Sequence, residues 1–225
     1  MANAVNERQQ VPEGIRAVIF DLSGVITVDM GKGLSKLNAL FGTHVPEWRL
    51  AEIWRPLYIS ASLGQISADE LWDRLRQGLA PGSASSGKEE ATWLAGITLR
   101  EPDVADTLAQ LRKEYALGLM SNHVGRWARA LLDRYDLTRY LDAVLISSDV
   151  GVRKPDPLPL RLICELMRVA PPEAVYVADE EEDLEAAQAL GMFPIFIPGE
   201  DASSRIGLQI EAVSDLLRVL QTTCQ

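Results

Sequence analysis

Five short apolar runs punctuate the chain: Ala17–Phe20, Ala116–Met120, Ala143–Ile146, Ala174–Ala178 and Phe193–Ile197. Each has the length of a buried strand, and several are rich in Val and Ile. They are continuously apolar rather than alternating, which predicts strands covered on both faces. Between the later runs, apolar positions recur at helical spacing. Val104, Leu108 and Leu111 do so in 103–114, with Asp103 placed to cap the start. Trp127, Ala130 and Leu131 follow in 125–135, and Leu158, Leu162, Ile163 and Leu166 in 157–168. A segment over 183–190 ends at Gly191, a residue suited to the left-handed position after a helix. Ile210, Val213, Leu216, Leu217 and Leu220 predict a last helix over about 209–221. Strand and helix alternating in this way require crossover connections, hence an α/β fold with a doubly wound, Rossmann-like parallel sheet.

Residues 29–98 interrupt the alternation. They hold no convincing strand, but helix-like pieces at 34–40, 46–58 and 68–79, the last with a capped start at Ser67 followed by Asp69 and Glu70. The stretch APGSASSG, 80–87, reads as a loop. The expected organisation is a core of 15–28 and 99–225, a small helical cap of 29–98 and a flexible polar tail of 1–14, with Gly31 and Gly33 as hinge candidates. Trp48, Trp54, Trp72 and Trp93 fall in the insertion and are expected to build its small core, one or two of them facing the crevice.

Composition narrows the function. With 225 residues, 47% apolar and 24% charged, the chain is of ordinary globular type. A formal charge of −10 without a dense Lys/Arg run excludes a nucleic-acid binder and suits metal cations or a metal-bridged anionic substrate. No apolar run approaches the roughly 20 residues of a membrane span, and the polar start lacks a signal segment. Cys164 lies in a helical pattern and Cys224 in the tail, so no disulfide is expected, and a cytoplasmic, reducing setting fits. Oligomeric state is not legible in the pattern.

In a parallel sheet, ligands bind beyond the carboxyl ends of strands where strand order reverses. Asp21, Ser121 and Asp179 each end an apolar run, and neighbouring strands would bring them to one crevice. Asp21 and Asp179 can then share a hard divalent cation, with Asp183 one helical turn beyond Asp179 holding a metal-bound water. Each residue also has a plainer reading. Strand-following Asp commonly forms turns or caps, the acids of DEEED, 179–183, suit the first turn of a helix, Ser121-Asn122 is a common loop start, and Lys154 in VRKPDP is an ordinary solvated lysine. His123 reads as a surface-loop histidine, although it is also the best spare proton donor in the core. His44 reads as uninvolved, and Arg126 and Arg153 as meeting an anionic substrate or only solvent.

Four stretches in order, VIFDLSGVI, GLMSN, SSDVGVRKPDP and VYVADEEEDLEAAQALGM, resemble the motifs of the haloacid dehalogenase superfamily of hydrolases. The segment SLGQISADELW resembles caps of the branch that includes the phosphatase domains attached to epoxide hydrolases. The resemblance implies that Asp21 is a nucleophile forming an aspartyl-phosphate. It implies that Mg²⁺ is held by Asp21, Asp179, the carbonyl of Ser23 and, through water, Asp183. It further implies that Ser23, Gly24, Ser121, Asn122 and Lys154 form the phosphate site, that the cap selects a small phosphorylated metabolite, and that catalysis runs through Asp21, Ser121 and Lys154. At position 23 the family's phosphatases usually carry an Asp, which protonates the leaving group. Ser23 cannot do so near neutral pH, a loss of about 10²–10⁴-fold in rate. Four readings stay open. They are a slow or specialised phosphatase with acid help from Asp29 or the cap, a dehalogenase, a phosphonate-cleaving enzyme using Lys32, Lys36 or Lys88, and a binding or regulatory module without turnover. Asp179 and Asp183 speak against the dehalogenase, which lacks the metal.

Overall fold

The computed structural model describes residues 10–28, 33–199, 204 and 206–221. Asp29, Gly31, Lys32, Cys224 and tail residues 1–9 lie outside these. The five apolar runs form β1 (Ala17–Phe20), β2 (Ala116–Ser121), β3 (Ala143–Ile146), β4 (Ala174–Ala178) and β5 (Phe193–Phe196). A short β6 (Leu208–Gln209) joins them at the edge. All pairings are parallel, in the order β3-β2-β1-β4-β5-β6. β1 therefore lies between β2 and β4, where the winding direction reverses.

Helices α1 (Lys36–Phe41), α2 (Glu47–Ser62), α3 (Ala68–Leu79) and α4 (Glu89–Ala95) stand between β1 and β2. After them come α5 (Val104–Leu111), α6 (Gly125–Arg134), α7 (Ser147–Val150), α8 (Pro157–Met167), α9 (Glu181–Ala189) and α10 (Leu216–Gln221). Successive strand side chains point to opposite faces, and both faces are buried. Val18, Phe20, Leu119 and Val177 pack in one cluster with residues of α5, α6, α10 and the insertion. Ala17, Ile19, Met120 and Tyr176 pack in another with residues of α8 and α9. This double cover is why the strands read as unbroken apolar runs.

Three local expectations are corrected. The helix expected over 209–221 begins only at Leu216. Backbone at 208–210 pairs instead with the open edge of β5, Ile210 N–H donating to the Phe196 carbonyl at 3.0 Å, and a 3₁₀ turn follows at Val213–Asp215. Asp103 makes no side-chain capping bond. Its carbonyl, rather than its carboxylate, accepts from Thr107 N–H. Trp54, Trp72 and Trp93 of the insertion pack on one another, with ring centroids 5.0 to 6.4 Å apart, but their cluster does not close within the insertion. Trp54 and Trp72 lie 6.1 and 5.7 Å, ring centroid to centroid, from Trp127 of α6, while Trp48 is 65% exposed. Short helices supply too little facing surface to bury three indoles alone, so the cluster closes on the sheet domain. Glu90 then bridges the two parts, accepting from Trp72 Nε1 at 3.2 Å and Trp127 Nε1 at 2.7 Å. The caps at Ser67 and Asp156 form as their side chains allow, accepting from Glu70 N–H and Leu158 N–H.

The chain leaves for the insertion and returns from it side by side. Thr27 and Leu99 form an antiparallel bridge, Val28 N–H donates to the Thr98 carbonyl and Arg100 N–H to that of Ile26. Among the described residues, no helix is long and apolar enough to cross a membrane.

Candidate active site

The register fixes the site. Phe20 pairs with Leu119 of β2 and Val177 of β4, so Asp21, Ser121 and Asp179 emerge within a residue of one another at the carboxyl end of the sheet. Asp21 N–H donates to the Val177 carbonyl at 2.9 Å, holding the strand end straight, and Leu22 N–H donates to Asp21 Oδ1 at 2.6 Å. The chain then turns back on itself, with Ile26 and Thr27 N–H both donating to the Leu22 carbonyl. Gly24 sits in this turn at φ 78°, and a Cβ there would lie 1.8 Å from Asp179 Oδ2. The left-handed backbone and the missing side chain together let the Asp179 carboxylate rest against the loop that follows β1.

Lys154 is fully withdrawn from solvent at its side chain and is the electrostatic hub. Its Nζ lies 2.6 Å from Asp21 Oδ2 and 2.7 Å from Asp183 Oδ2, and it donates to the Tyr176 hydroxyl as well. Three partners match the three ammonium protons. Burial alone would push the Lys154 pKa down, but Asp21, Tyr176 and Asp183 hold it well above the usual lysine value, so the ammonium stays charged. Burial pushes the Asp183 carboxyl above the usual carboxylate range, with Lys154 opposing. Two reciprocal hydrogen bonds of 2.9 Å, Lys154 N–H to Asn122 Oδ1 and Asn122 Nδ2 to the Lys154 carbonyl, tie the lysine loop to the end of β2.

These residues line one cavity of about 480 Å³: Asp21, Ser23, Ser121, Asn122, Lys154, Asp179 and Asp183 on the sheet side, and Leu34, Trp54, Arg55, Tyr58 and Ile59 on the insertion side. Gly24 lies behind the wall, against Asp179. Lys36 and Lys88 are exposed and outside the cavity lining. Among the described residues, no three His, Cys, Asp or Glu side chains form a closed metal shell. Lys154 engages one oxygen each of Asp21 and Asp183, so the oxygen donors at hand are the carboxylates of Asp21, Asp179 and Asp183, with the backbone of the loop after β1. A few carboxylates completed by carbonyl and water suit a hard ion such as Mg²⁺ and not a soft, protein-enclosed one.

Two expectations about nearby residues change. His123 is not on the surface: it is 0% exposed, with its ring 6.2 Å from Tyr58 and 6.3 Å from Trp127. A Ser-Asn-His string looks like a polar loop, but the immediate start of α6 folds the imidazole inward, where its Nδ1 meets the Val124 carbonyl. Arg126 meets neither substrate nor solvent alone, but pairs with Asp69 at 2.7 Å and Glu90 at 2.6 Å on the insertion. Sequence reasoning also misses Tyr176 and Tyr58. The first is the single hydroxyl in the strand AVYVA, and that oddity was a readable signal. The second reaches across from α2 to donate to the Asn122 carbonyl at 3.0 Å, and nothing local announces it.

The buried His123 makes the fold sensitive to acid. Burial pushes its pKa down to about 4 from 6.5. The folded chain keeps the imidazole neutral while the unfolded chain protonates it. Stability therefore falls as pH drops through 6.5 and levels off near 4, a loss of about 2 kcal/mol between pH 8 and 5. In urea unfolding, His123→Asn is expected to lose that much less stability than the wild type over this interval. An equal loss in both proteins would sink the assignment.

Comparison with known proteins agrees with the fold. The family model for haloacid dehalogenase-like hydrolases matches residues 15–191. Phosphoglycolate phosphatase of Escherichia coli (strain K12) is 38% identical over 202 residues, covering 80% of this chain and 79% of that protein. A HAD-family enzyme of Bacteroides thetaiotaomicron, solved with magnesium and inorganic phosphate, matches with a TM-score of 0.69 at 21% identity over 85% of this chain and 98% of its own. The L-2-haloacid dehalogenase of Xanthobacter autotrophicus matches at 0.66 and 20% identity, over 92% and 98%. At such identities the two structures show a shared fold. The family model and the E. coli relative carry more: the chain is an enzyme, and it belongs to the haloacid dehalogenase-like hydrolase family.

Proposed function

We propose that the enzyme is a Mg²⁺-dependent phosphatase that works through an aspartyl-phosphate on Asp21 and is restricted by Ser23 to leaving groups that need little protonation. The observation that carries this is the meeting of Asp21, Lys154, Ser121, Asn122 and Asp179 on one cavity. The relatives at 38% identity, themselves phosphoglycolate phosphatases, support it.

In this reading an Asp21 carboxylate oxygen attacks phosphorus, and the bond to the leaving oxygen breaks. Water then attacks the same phosphorus and frees Asp21. Lys154, the Ser121 hydroxyl and the Asn122 amide receive the non-bridging oxygens, where negative charge accumulates. Asp21, Asp179 and the carbonyl of Ser23, with Asp183 behind, would hold Mg²⁺, which when bound would supply charge neutralisation at the transferring group. Nothing at position 23 delivers a proton to the departing oxygen. His123 does not replace it, because an imidazole with a pKa near 4 carries no spare proton at neutral pH. The helical insertion serves as the cap that covers the substrate, and the buried thiol of Cys164 fits a cytoplasmic setting.

The wild-type enzyme is expected to hydrolyse aryl phosphates only with Mg²⁺ present, and alkyl phosphates about 10²–10⁴-fold more slowly. Steady-state assays with added Mg²⁺ or with chelator decide this. Halide release from a 2-haloacid without metal would favour a dehalogenase. No turnover of any phosphate, with Mg²⁺ still bound, would favour a regulatory module.

A further inference from the structure

The cavity has two electrically different walls. Around the carboxyl end of the sheet it is lined by Asp21, Asp179, Glu180, Glu182 and Asp183, with Lys154 among them. Toward the insertion it is lined by Arg55 of α2 and, from the lysine loop, Arg153. In a chain with 32 acidic and 22 basic side chains, arginines on carboxylates are the rule, as in Arg74–Glu70, Arg126–Asp69 and Arg129–Asp149. Neither Arg55 nor Arg153 forms a salt bridge with a described residue.

Arg153 is nonetheless held in place. It donates to Ser62 Oγ, and its guanidinium lies 5.9 Å from the Tyr58 ring centroid. That bond engages one of its five N–H donors. Tyr58 in turn donates to the carbonyl of Asn122, beside the expected phosphate site. Together with the Ser147 hydroxyl, which donates to the Ser62 carbonyl at 2.6 Å, these bonds tie the arginine wall to the end of the sheet. Arg153 lies close enough to Asp183 to favour its charged form, but neither guanidinium is bonded to a described carboxylate, and two such groups in an aqueous cleft match a planar anion that can take paired hydrogen bonds.

Resting on the phosphatase reading, we propose that the physiological substrate carries a second anionic group, a carboxylate or a second phosphate, and that Arg55 and Arg153 receive it while its phosphoryl group faces Asp21. These two arginines are then the residues that select among phosphate esters. A neutral far end leaves them only water.

Aryl esters test this, because their leaving groups ask little of the missing acid. Phenyl phosphate, 4-carboxyphenyl phosphate and the bisphosphate of benzene-1,4-diol differ at the far end alone. The wild type is expected to prefer one of the two doubly anionic esters by about 10- to 100-fold in kcat/KM over phenyl phosphate, and which one identifies the second group. Arg55→Met and Arg153→Met should each shrink that ratio, the double variant should bring it near one, and Arg153→Lys should keep part of it. A wild-type ratio near one, or a ratio untouched by both substitutions, overturns the proposal. If no ester is turned over, calorimetric binding of the same three compounds to the Asp21→Asn protein applies the same comparison. A preserved preference there would leave the second-anion site standing while the phosphatase reading falls, and equal binding would remove it.

Discussion

Asp21→Asn is expected to lower phosphatase activity by on the order of 10⁴- to 10⁶-fold while leaving a folded protein. An amide cannot serve as the nucleophile, and no other carboxylate stands at the end of the central strand. Stability should survive because Lys154 keeps its contact of 2.7 Å with Asp183, and because one of two like charges facing that ammonium is gone. Wild-type enzyme quenched during turnover should carry acid-precipitable phosphate that hydroxylamine releases, and the variant should carry none. Residual activity above about one part in a hundred, beyond the contribution of a contaminating phosphatase, would rule out Asp21 as the group that takes the phosphoryl.

The second large effect runs the other way. Ser23→Asp should raise the hydrolysis of alkyl phosphates by about 10²–10⁴-fold, and that of aryl phosphates far less. The side chain at 23 lines the cavity two residues past Asp21 and is partly open to it. A carboxyl placed there can hand a proton to the departing oxygen and retrieve one from water. The gain depends on the leaving group, so the decisive measurement is the slope of log rate against leaving-group acidity: steep in the wild type, shallow in the variant. Parallel slopes would mean that position 23 is not where the leaving oxygen sits. The added negative charge among Asp21, Asp179 and Asp183 works against binding, and any rise in KM with kcat increased is consistent with that.

Much of this arrangement is readable from the chain. Buried parallel strands leave unbroken apolar runs, so β1 to β5 announce themselves, and three of the runs stop at a residue that lines the crevice, Asp21, Ser121 and Asp179. The order of the strands is not in those runs, but the placement of Asp21, Ser121 and Asp179 at their ends makes sense only if β1 is central, and it is. What pattern alone could not supply comes from contacts between distant segments. His123 looks polar and is enclosed because α6 starts immediately after it. The tail looks helical from Ile210 onward, yet an unpaired sheet edge captures its first residues. Tyr176 looks like one more core side chain until Lys154 reaches its hydroxyl. The proposed phosphatase chemistry rests on types of residue, which a sequence displays; the proposed selection of substrate rests on Arg55, Tyr58 and Arg153, which are brought together only by folding.

The indole cluster shared by α2, α3, α4 and α6 bears on how such enzymes can be recombined. Trp127 belongs to the sheet domain in chain order but packs with the insertion, and Glu90 joins its ring nitrogen to that of Trp72. A chimera that imports a foreign lid at the natural seam, between residues 28 and 98, would strand Trp127 against the wrong surface. Exchange of this insertion between relatives therefore has to carry the first turns of α6 along with it, as one inherited block.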